Sequence, residues 1–225
     1  MRENGDGLTA WVGGEPHYLV NVTRRIAQGQ LDQAIAVDAR DTTSALANLQ
    51  VIAENLQENE QHHQHRVWID EGLALINETV RNENSTSQLA TEISRKMADY
   101  LPAQTCALYG FAFGVVDDSM IQRQKLVMLG SASHDHVPLP LELPLPSQLL
   151  KDAAEHNRML RNKDLPPASL QALGTSALEP SPHFLIIPFQ FKNQVRGVFV
   201  AKSRKPLTDQ IAELMLPGLV AVGVA

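Results

Sequence analysis

The residues best suited to metal chemistry form a short histidine-rich segment. His62-His63-Gln64-His65 could place imidazoles on one helix face, and imidazole is a common transition-metal ligand. No cysteine or defined carboxylate set completes a four-ligand shell beside it. We therefore expect a solvated linker face and no metal site.

Two further positions could take part in proton transfer or nucleophilic chemistry. His134-Asp135-His136 lies in a polar segment between predicted strands, where a surface loop or pocket rim is the expected environment. Cys106, the single cysteine, is flanked by Thr105 and Ala107, so no base or cation is adjacent to lower its pKa. We expect a buried thiol in the core.

The sequence carries no motif of a common enzyme class. A glycine-rich phosphate loop, HExxH and GxSxG are all missing. We therefore expect a chain with no catalytic residues and no cofactor.

Composition restricts the class of protein. The chain has 225 residues, of which 44% are hydrophobic and 20% charged, and its net charge is −6. Such values fit a soluble folded protein with a short module and one ordinary domain, and one cysteine fits a reducing compartment. No basic stripe favours nucleic acid, no apolar run of about 18 residues predicts a membrane span, and there is no leader pattern. Because the chain ends within the apolar LVAVGVA, we expect a fragment.

The N-terminal part is predicted to hold two short amphipathic helices after a flexible tail over residues 1–14. Pro16 suits a first helical turn, and Gly29 suits a left-handed helix end. A connector over residues 30–41 follows, and Asp41 or Thr42 is predicted to cap the second helix. The apolar residues at heptad spacing are Leu19, Val22 and Ile26, then Leu46, Leu49, Ala53 and Leu56. Because each stripe is narrow, both helices need a second chain to complete a four-helix bundle.

Residues 57–66 are polar throughout and interrupt this pattern. The next apolar run is Ile69, Leu73, Ile76 and Val80. This run is out of phase with Leu56 by one residue, which predicts a local rewinding or a loss of pairing. A switch and a plain linker both fit, and we favour the linker.

The remainder predicts an α+β domain with one mostly antiparallel sheet. Its first helix begins at a capping box, Ser85-x-x-Gln88, and stops before Pro102. The predicted strands are 105–116 at the centre, 125–131 beside it after a connection at 117–119, and a hairpin of 184–191 and 195–202. The proline-rich residues 137–146 are expected to form an edge strand or an extended loop. The other predicted helices are 147–156 and one from Thr208 that Pro217-Gly218 interrupts, and residues 165–174 are expected to form a turn or a short helix. Aromatic residues that alternate on the strands could line a ligand space or the core, and we favour the core: Phe111, Phe113, Phe189 and Phe199.

Residues 13–37 resemble the start of a HAMP domain. The matching pieces are Gly13-Gly14-Glu15-Pro16, Arg24-Arg25-Ile26-Ala27 and Gly29-x-Leu31. Asp41-Thr42 stands where the family has an Asp-Glu pair, so that match is partial. The resemblance implies a HAMP-like coiled-coil module over residues 15–60.

Residues 66–81 resemble the signalling helix that precedes GAF domains, through Trp68 and Glu71-Gly72-Leu73. This implies a signalling-helix linker over 61–84. Residues 85–225 resemble a GAF domain, through the strand after Pro102, Ile187-Pro188-Phe189 and Gly197-Val198-Phe199-Val200. Two departures are VPLPLELPLP in place of a glycine-rich turn, and Pro217-Gly218 in the last helix.

Together these resemblances imply the non-catalytic relay region of a bacterial membrane sensor, on the cytoplasmic face of the inner membrane. The implied parent is a two-component histidine kinase; a chemoreceptor or diguanylate cyclase is the alternative. The implied partners are a second copy of the chain and a downstream output domain. The residues expected to carry the relay by packing are Pro16, Ile26, Gly29, Leu31, Leu46, Leu49 and Leu56.

The GAF-like part could instead bind a small effector that biases the dimer. Known ligand signatures match poorly. The chain has no Cys-His pair of the kind found in bilin-binding GAF domains, and a single cysteine is too few for the redox cycle of a methionine-sulfoxide reductase. Asn162-Lys163-Asp164 matches only a small part of the cyclic-nucleotide motif.

Overall fold

Two units divide the chain in the computed structural model, Met1–Trp68 and Ile69–Ala225. The structure describes residues 9, 11–83, 85–113, 124–135, 139–174, 182–192 and 194–224. The predicted connection at 117–119 and His136 lie outside these residues.

The described elements follow the predicted order closely. The helices are α1 (Pro16–Ala27), α2 (Ala45–Asn82), α3 (Thr86–Tyr100), α4 (Ser147–Glu155), α5 (Pro167–Ala172) and α6 (Gln210–Val224), with a 3-10 turn at Asn162–Asp164. The strands are β1 (Thr105–Phe113), β2 (Gln124–Ser133), β3 (Glu142–Leu143), β4 (Leu160–Arg161), β5 (His183–Phe191) and β6 (Gln194–Ser203).

Helix α1 starts and stops as its sequence predicts. Pro16 occupies its first turn, where a missing N–H costs no hydrogen bond. At its end Gly29 has φ +74°. The amides of Gly29 and Gln30 donate to the carbonyls of Ile26 and Arg25, both at 3.0 Å, which completes a Schellman motif. The predicted glycine cap is confirmed.

The connector after α1 runs back along that helix. Arg25 Nη2 donates to the Gln33 carbonyl at 3.0 Å, and the Ala36 amide donates to the Tyr18 hydroxyl at 3.0 Å. A Cβ added at Gly13 would meet Ser44. Since later connector residues contact earlier helix residues, α2 begins beside the start of α1.

The caps of α2 and α3 differ from the predicted ones. Ser44, and not Asp41 or Thr42, caps α2, because its Oγ accepts from the Ala47 amide at 3.2 Å. Asp41 Oδ1 instead accepts from the amide of Ser44 at 3.0 Å and so shapes the preceding turn. Ser85 does precede α3, but its side chain makes no capping hydrogen bond. The predicted capping box was therefore wrong, because Ser85 does not supply its side-chain hydrogen bond.

Helix α2 continues without a break through the polar residues 57–66. The plain linker favoured from the sequence is therefore helical, and the rewinding or loss of pairing expected there stays a prediction. Glutamine and glutamate are good helix formers, and Gln64 Nε2 donates to Glu60 Oε1 at 2.8 Å one turn away. The phase change marks a change in what covers the helix, because residues near Leu46 and residues near Ile76 are buried in different units.

The second unit contains a six-stranded sheet in the order β3-β2-β1-β6-β5-β4. All its described pairings are antiparallel. This confirms the central strand, the hairpin and the short proline-flanked edge strand.

The two faces of the sheet are covered by different helices. One face carries a cluster from alternate strand positions, the loops and helix α4: Ala107, Tyr109, Leu126, Leu143, Leu150, Ala153, Phe184, Ile186, Val198 and Val200. The other face holds Cys106, Leu108 and Phe199, all buried. Gly130, paired with Leu108, lets the backbone of α3 approach this second face directly.

Helix α6 passes through Pro217 without interruption. The predicted break was wrong. Pro217 has no N–H to donate to the Glu213 carbonyl, but both residues lie on the exposed side of the helix, where such an exchange is tolerated.

Candidate functional site

We call the cluster on the first face of the sheet the covered face (the residues named above from Ala107 to Val200). Leu139, Leu165 and Leu173 close over it from the segments that flank the short helices. Tyr109 is buried at its centre, and its hydroxyl donates to the Pro140 carbonyl at 2.7 Å. Burial raises the pKa of Tyr109 well above its usual range. The described part of this face is therefore lined by packed apolar side chains around a neutral phenol.

The four aromatic residues on the strands divide between the faces. Phe199 and Phe189 are buried. They lie on the opposite face, since Phe199 pairs with Leu108 and Phe189 with Gly197, itself opposite Gly110. Phe111 packs against the covered face, and the Phe113 side chain lies outside the described residues. The core assignment is confirmed for Phe189 and Phe199.

A polar cluster lies at one end of the covered face, and we call it the Asp135 cluster (Thr105, Ser133, Asp135, Lys202). Thr105 pairs with Ser133 on β2 and with Lys202 on β6, so the three side chains share a face across adjacent strands. Asp135 Oδ1 accepts from Ser133 Oγ at 2.7 Å and from Thr105 Oγ1 at 3.3 Å. Lys202 Nζ lies 3.5 Å from Asp135 Oδ2. The cluster thus joins three strands to the loop after β2.

Sequence reasoning placed Asp135 in a surface loop and missed its partners. Those partners are distant in the chain, and only the strand register brings them together. The neighbouring His134 is exposed, and its Nε2 lies 3.3 Å from Asp99 Oδ1. The two residues therefore point to different surroundings, and no histidine–aspartate pair forms between them.

Cys106 is fully buried on the opposite face, so the predicted core thiol is confirmed. Burial raises the pKa of the thiol, which keeps it protonated. A protonated thiol without an adjacent base is a poor nucleophile or anchor for a chromophore.

The histidine-rich segment lies on the surface of α2. His62 and His63 are exposed, and His65 stacks on Trp68 with ring centroids 6.2 Å apart. Within the part of the chain that the structure describes, no group of three or more histidine, cysteine or acidic side chains is placed to hold a metal ion.

Asn162 has a structural position. Its Nδ2 donates to the Pro182 carbonyl at 2.8 Å, and its Oδ1 accepts from the Phe184 amide at 2.7 Å. Both polar atoms of the amide are therefore used to join the 3-10 turn to β5.

The first unit has its own small cluster, the N-terminal cluster. Val12, Val22 and Leu46 are its buried residues. The half-buried residues around it are Tyr18, Leu19, Ile26, Ile35, Val37 and Leu49.

The predicted relay residues fall into different environments. Leu46, Ile26 and Leu49 belong to the N-terminal cluster, whereas Leu31 is half-buried outside it. The connector contributes Ile35 and Val37 instead of Leu31. Pro16 and Gly29 are exposed at the ends of α1, and Leu56 is 43% exposed on α2.

No family model and no curated protein matches this sequence. Solved structures do match. The phycocyanobilin-bound GAF domain of a cyanobacterial phytochrome has a TM-score of 0.52 at 12% identity, covering 69% of this chain and 92% of that chain. The GAF domain of a phosphoenolpyruvate-protein phosphotransferase from Coxiella burnetii has a TM-score of 0.47 at 16% identity, covering 69% and 90%.

A free methionine-R-sulfoxide reductase from Neisseria meningitidis gives a TM-score of 0.48 at 15% identity, with 69% of this chain and 86% of that chain covered. The likeness to the phytochrome domain shows the fold: the chain contains a GAF-like α+β domain with an antiparallel sheet and flanking helices. This confirms the predicted fold of that domain. The HAMP-like assignment and the domain boundaries stay predictions.

None of the described helices combines the length and the apolar character that crossing a bilayer requires.

Proposed function

We propose that this chain is the sensory and relay region of a bacterial membrane sensor, in which a HAMP-like module passes a signal to a GAF-like regulatory domain. The proposed parent is a two-component histidine kinase at the cytoplasmic face of the inner membrane. The chain would act as a homodimer without catalytic activity of its own and would deliver the signal to a downstream output domain.

The observation that carries this proposal is the geometry of the first unit. Two helices are joined by a connector that packs back along α1 through Tyr18 and Arg25, which places the start of α2 beside the start of α1. The cluster that these two helices share has few buried side chains among those described. The helix pair becomes a closed bundle when a second copy adds its own pair.

Exposed apolar side chains on α2 support the homodimer. Ile52, Leu56 and Val67 are 47%, 43% and 41% exposed. Positions 52 and 56 are one helical turn apart, and position 67 follows Leu56 by eleven residues, so all three lie on one side of the helix. A second copy that presents the same stripe would remove this surface from water.

Sedimentation equilibrium of the whole chain tests the proposal. We expect a reversible dimer that Leu56→Ser weakens at least about tenfold, because the leucine leaves the shared seam. Leu141→Ser is the matched control, since Leu141 is 74% exposed and lies in the other unit. A folded chain that stays monomeric at high concentration would contradict the homodimer and with it the relay.

The GAF-like domain would supply the regulatory part. Its antiparallel sheet and flanking helices, which are similar to those of the phytochrome GAF domain, support this role. The buried thiol of Cys106 supports the absence of catalysis in this part. Turnover of any substrate by the isolated chain would contradict that absence.

A further inference from the structure

Two glycines on neighbouring helices of the second unit each face a large side chain of the other helix. A Cβ added at Gly72, on α2, would lie 2.6 and 2.8 Å from the two methyl carbons of Leu214, on α6. A Cβ added at Gly218, on α6, would lie 2.5 Å from Ile76 Cδ1, on α2. Each helix therefore inserts a branched side chain at the glycine of the other, and we call these four residues the glycine interlock.

The side chains of the interlock have little room to move. Leu214 is 0% exposed and Ile76 is 1% exposed. Tyr100 of α3 closes another side, since a Cβ at Gly72 would also lie 2.9 Å from its Cε1. Glycine weakens a helix interior relative to alanine. These two positions therefore gain close approach at the expense of helix stability.

The order of the contacts gives the direction of the helices. Gly72 meets Leu214, and four residues further along each helix Ile76 meets Gly218. The contacts advance together along both chains, so α2 and α6 run parallel where they touch. Helix α2 leads the chain into this unit, and α6 follows the last strand.

We propose that the glycine interlock couples α2 directly to α6, so that a shift or rotation of α2 moves α6 through their own contact. This rests on the proposed relay function, in which α2 carries the incoming signal. A branched side chain seated at a glycine cannot slide gradually along the helix to a position that has a Cβ, because close-packed interfaces change in discrete steps. The two helices therefore move together or separate.

Hydrogen–deuterium exchange of the full chain tests the coupling. We expect Gly72→Ala to speed exchange in residues 210–224 by about tenfold, while strands β1 and β6 change by less than about twofold. The Leu214→Ala variant is the reference for a double variant: adding Gly72→Ala to it should change exchange in residues 210–224 by less than about twofold, because the added Cβ then finds space. Ala74→Gly is the matched control: it weakens α2 two residues away at an exposed position, and exchange in α6 should stay unchanged.

Three results would overturn the proposal. Exchange in α6 that Gly72→Ala leaves at the wild-type rate would show no coupling. An equal effect of Ala74→Gly would show that α2 stability alone matters. Equal acceleration in α6 and in the strands would show a general loosening of the unit. The measurement needs neither a dimer nor a parent protein, so a monomeric chain would contradict the relay and leave this test intact.

Discussion

The two units of the chain are held together by very different cores. Among the residues described, the N-terminal cluster has three buried side chains, Val12, Val22 and Leu46, surrounded by half-buried ones. In the second unit, the covered face and the residues that close over it together have fourteen buried side chains among those described, and the opposite face is buried as well. A cluster with few buried side chains is expected to open at a lower free energy than a dense two-sided core.

The largest expected effect comes from the same truncation in both cores. Leu46 and Leu150 are each 0% exposed, and Leu→Ala at such sites costs about 2–5 kcal/mol. We expect Leu46→Ala to abolish the cooperative unfolding of the first unit, whereas Leu150→Ala lowers the stability of the second unit and leaves it folded. Both tryptophans, Trp11 and Trp68, lie in the first unit, so their fluorescence in urea follows that unit.

Hydrogen exchange in β1 and β6 follows the second unit in the same samples. If Leu46→Ala cost less than about 1 kcal/mol, the contrast between a small core and a large one would be wrong.

A smaller effect is expected at the Asp135 cluster. Thr105→Val keeps the shape of the side chain but removes the hydroxyl that lies 2.9 Å from Ser133 Oγ. We expect the free energy of unfolding of the second unit to fall by about 1 kcal/mol in urea, followed by hydrogen exchange of β1, because the half-buried Ser133 and Asp135 lose a hydrogen-bond partner. Thr42→Val, at an exposed position of the first unit, should change stability by less than about 0.5 kcal/mol. Equal effects would mean that the cluster contributes nothing specific.

The smallest effect is a pH dependence of the first unit. Hydrogen bonds from Ser44, and then from the Thr43 amide, hold the pKa of Asp41 below its usual range. Because the folded-state pKa is depressed, the contribution to stability is present above about pH 4 and is lost as the pH falls through the folded value. The free energy of unfolding of the first unit, measured by tryptophan fluorescence in urea, should be modestly lower at about pH 3 than at about pH 6. The Asp41→Asn variant should lose less stability between these two pH values than the wild type. An equal loss in both would exclude Asp41 as the cause.

Much of the fold follows from local sequence signals. Gly29 ends α1 because a left-handed residue is needed there, and glycine adopts that conformation freely. The alternation and the turn residues predicted the central strand, the hairpin and the edge strand, because a strand's period and its turn chemistry are local properties. The thiol of Cys106 was predicted to be buried because no base or cation is adjacent to it in the sequence.

Helix continuity was predicted less well. Apolar spacing shows which side of a helix is covered, and it gives no signal for a helix that is exposed on all sides. The polar residues 57–66 were therefore taken for a linker, although their helix propensity is good. Pro217 was taken for a break, although it lies on the exposed side of a helix that tolerates its missing N–H.

The sequence by itself determined the kinds of element, their order and the GAF-like sheet, since these depend on neighbours along the chain. Only the tertiary structure decided that Asp135 meets Thr105 and Lys202, that Ile35 and Val37 pack where Leu31 was expected, and that Gly72 faces Leu214. Such contacts depend on strand register and on helix rotation, and a shift of one residue in either would replace every partner.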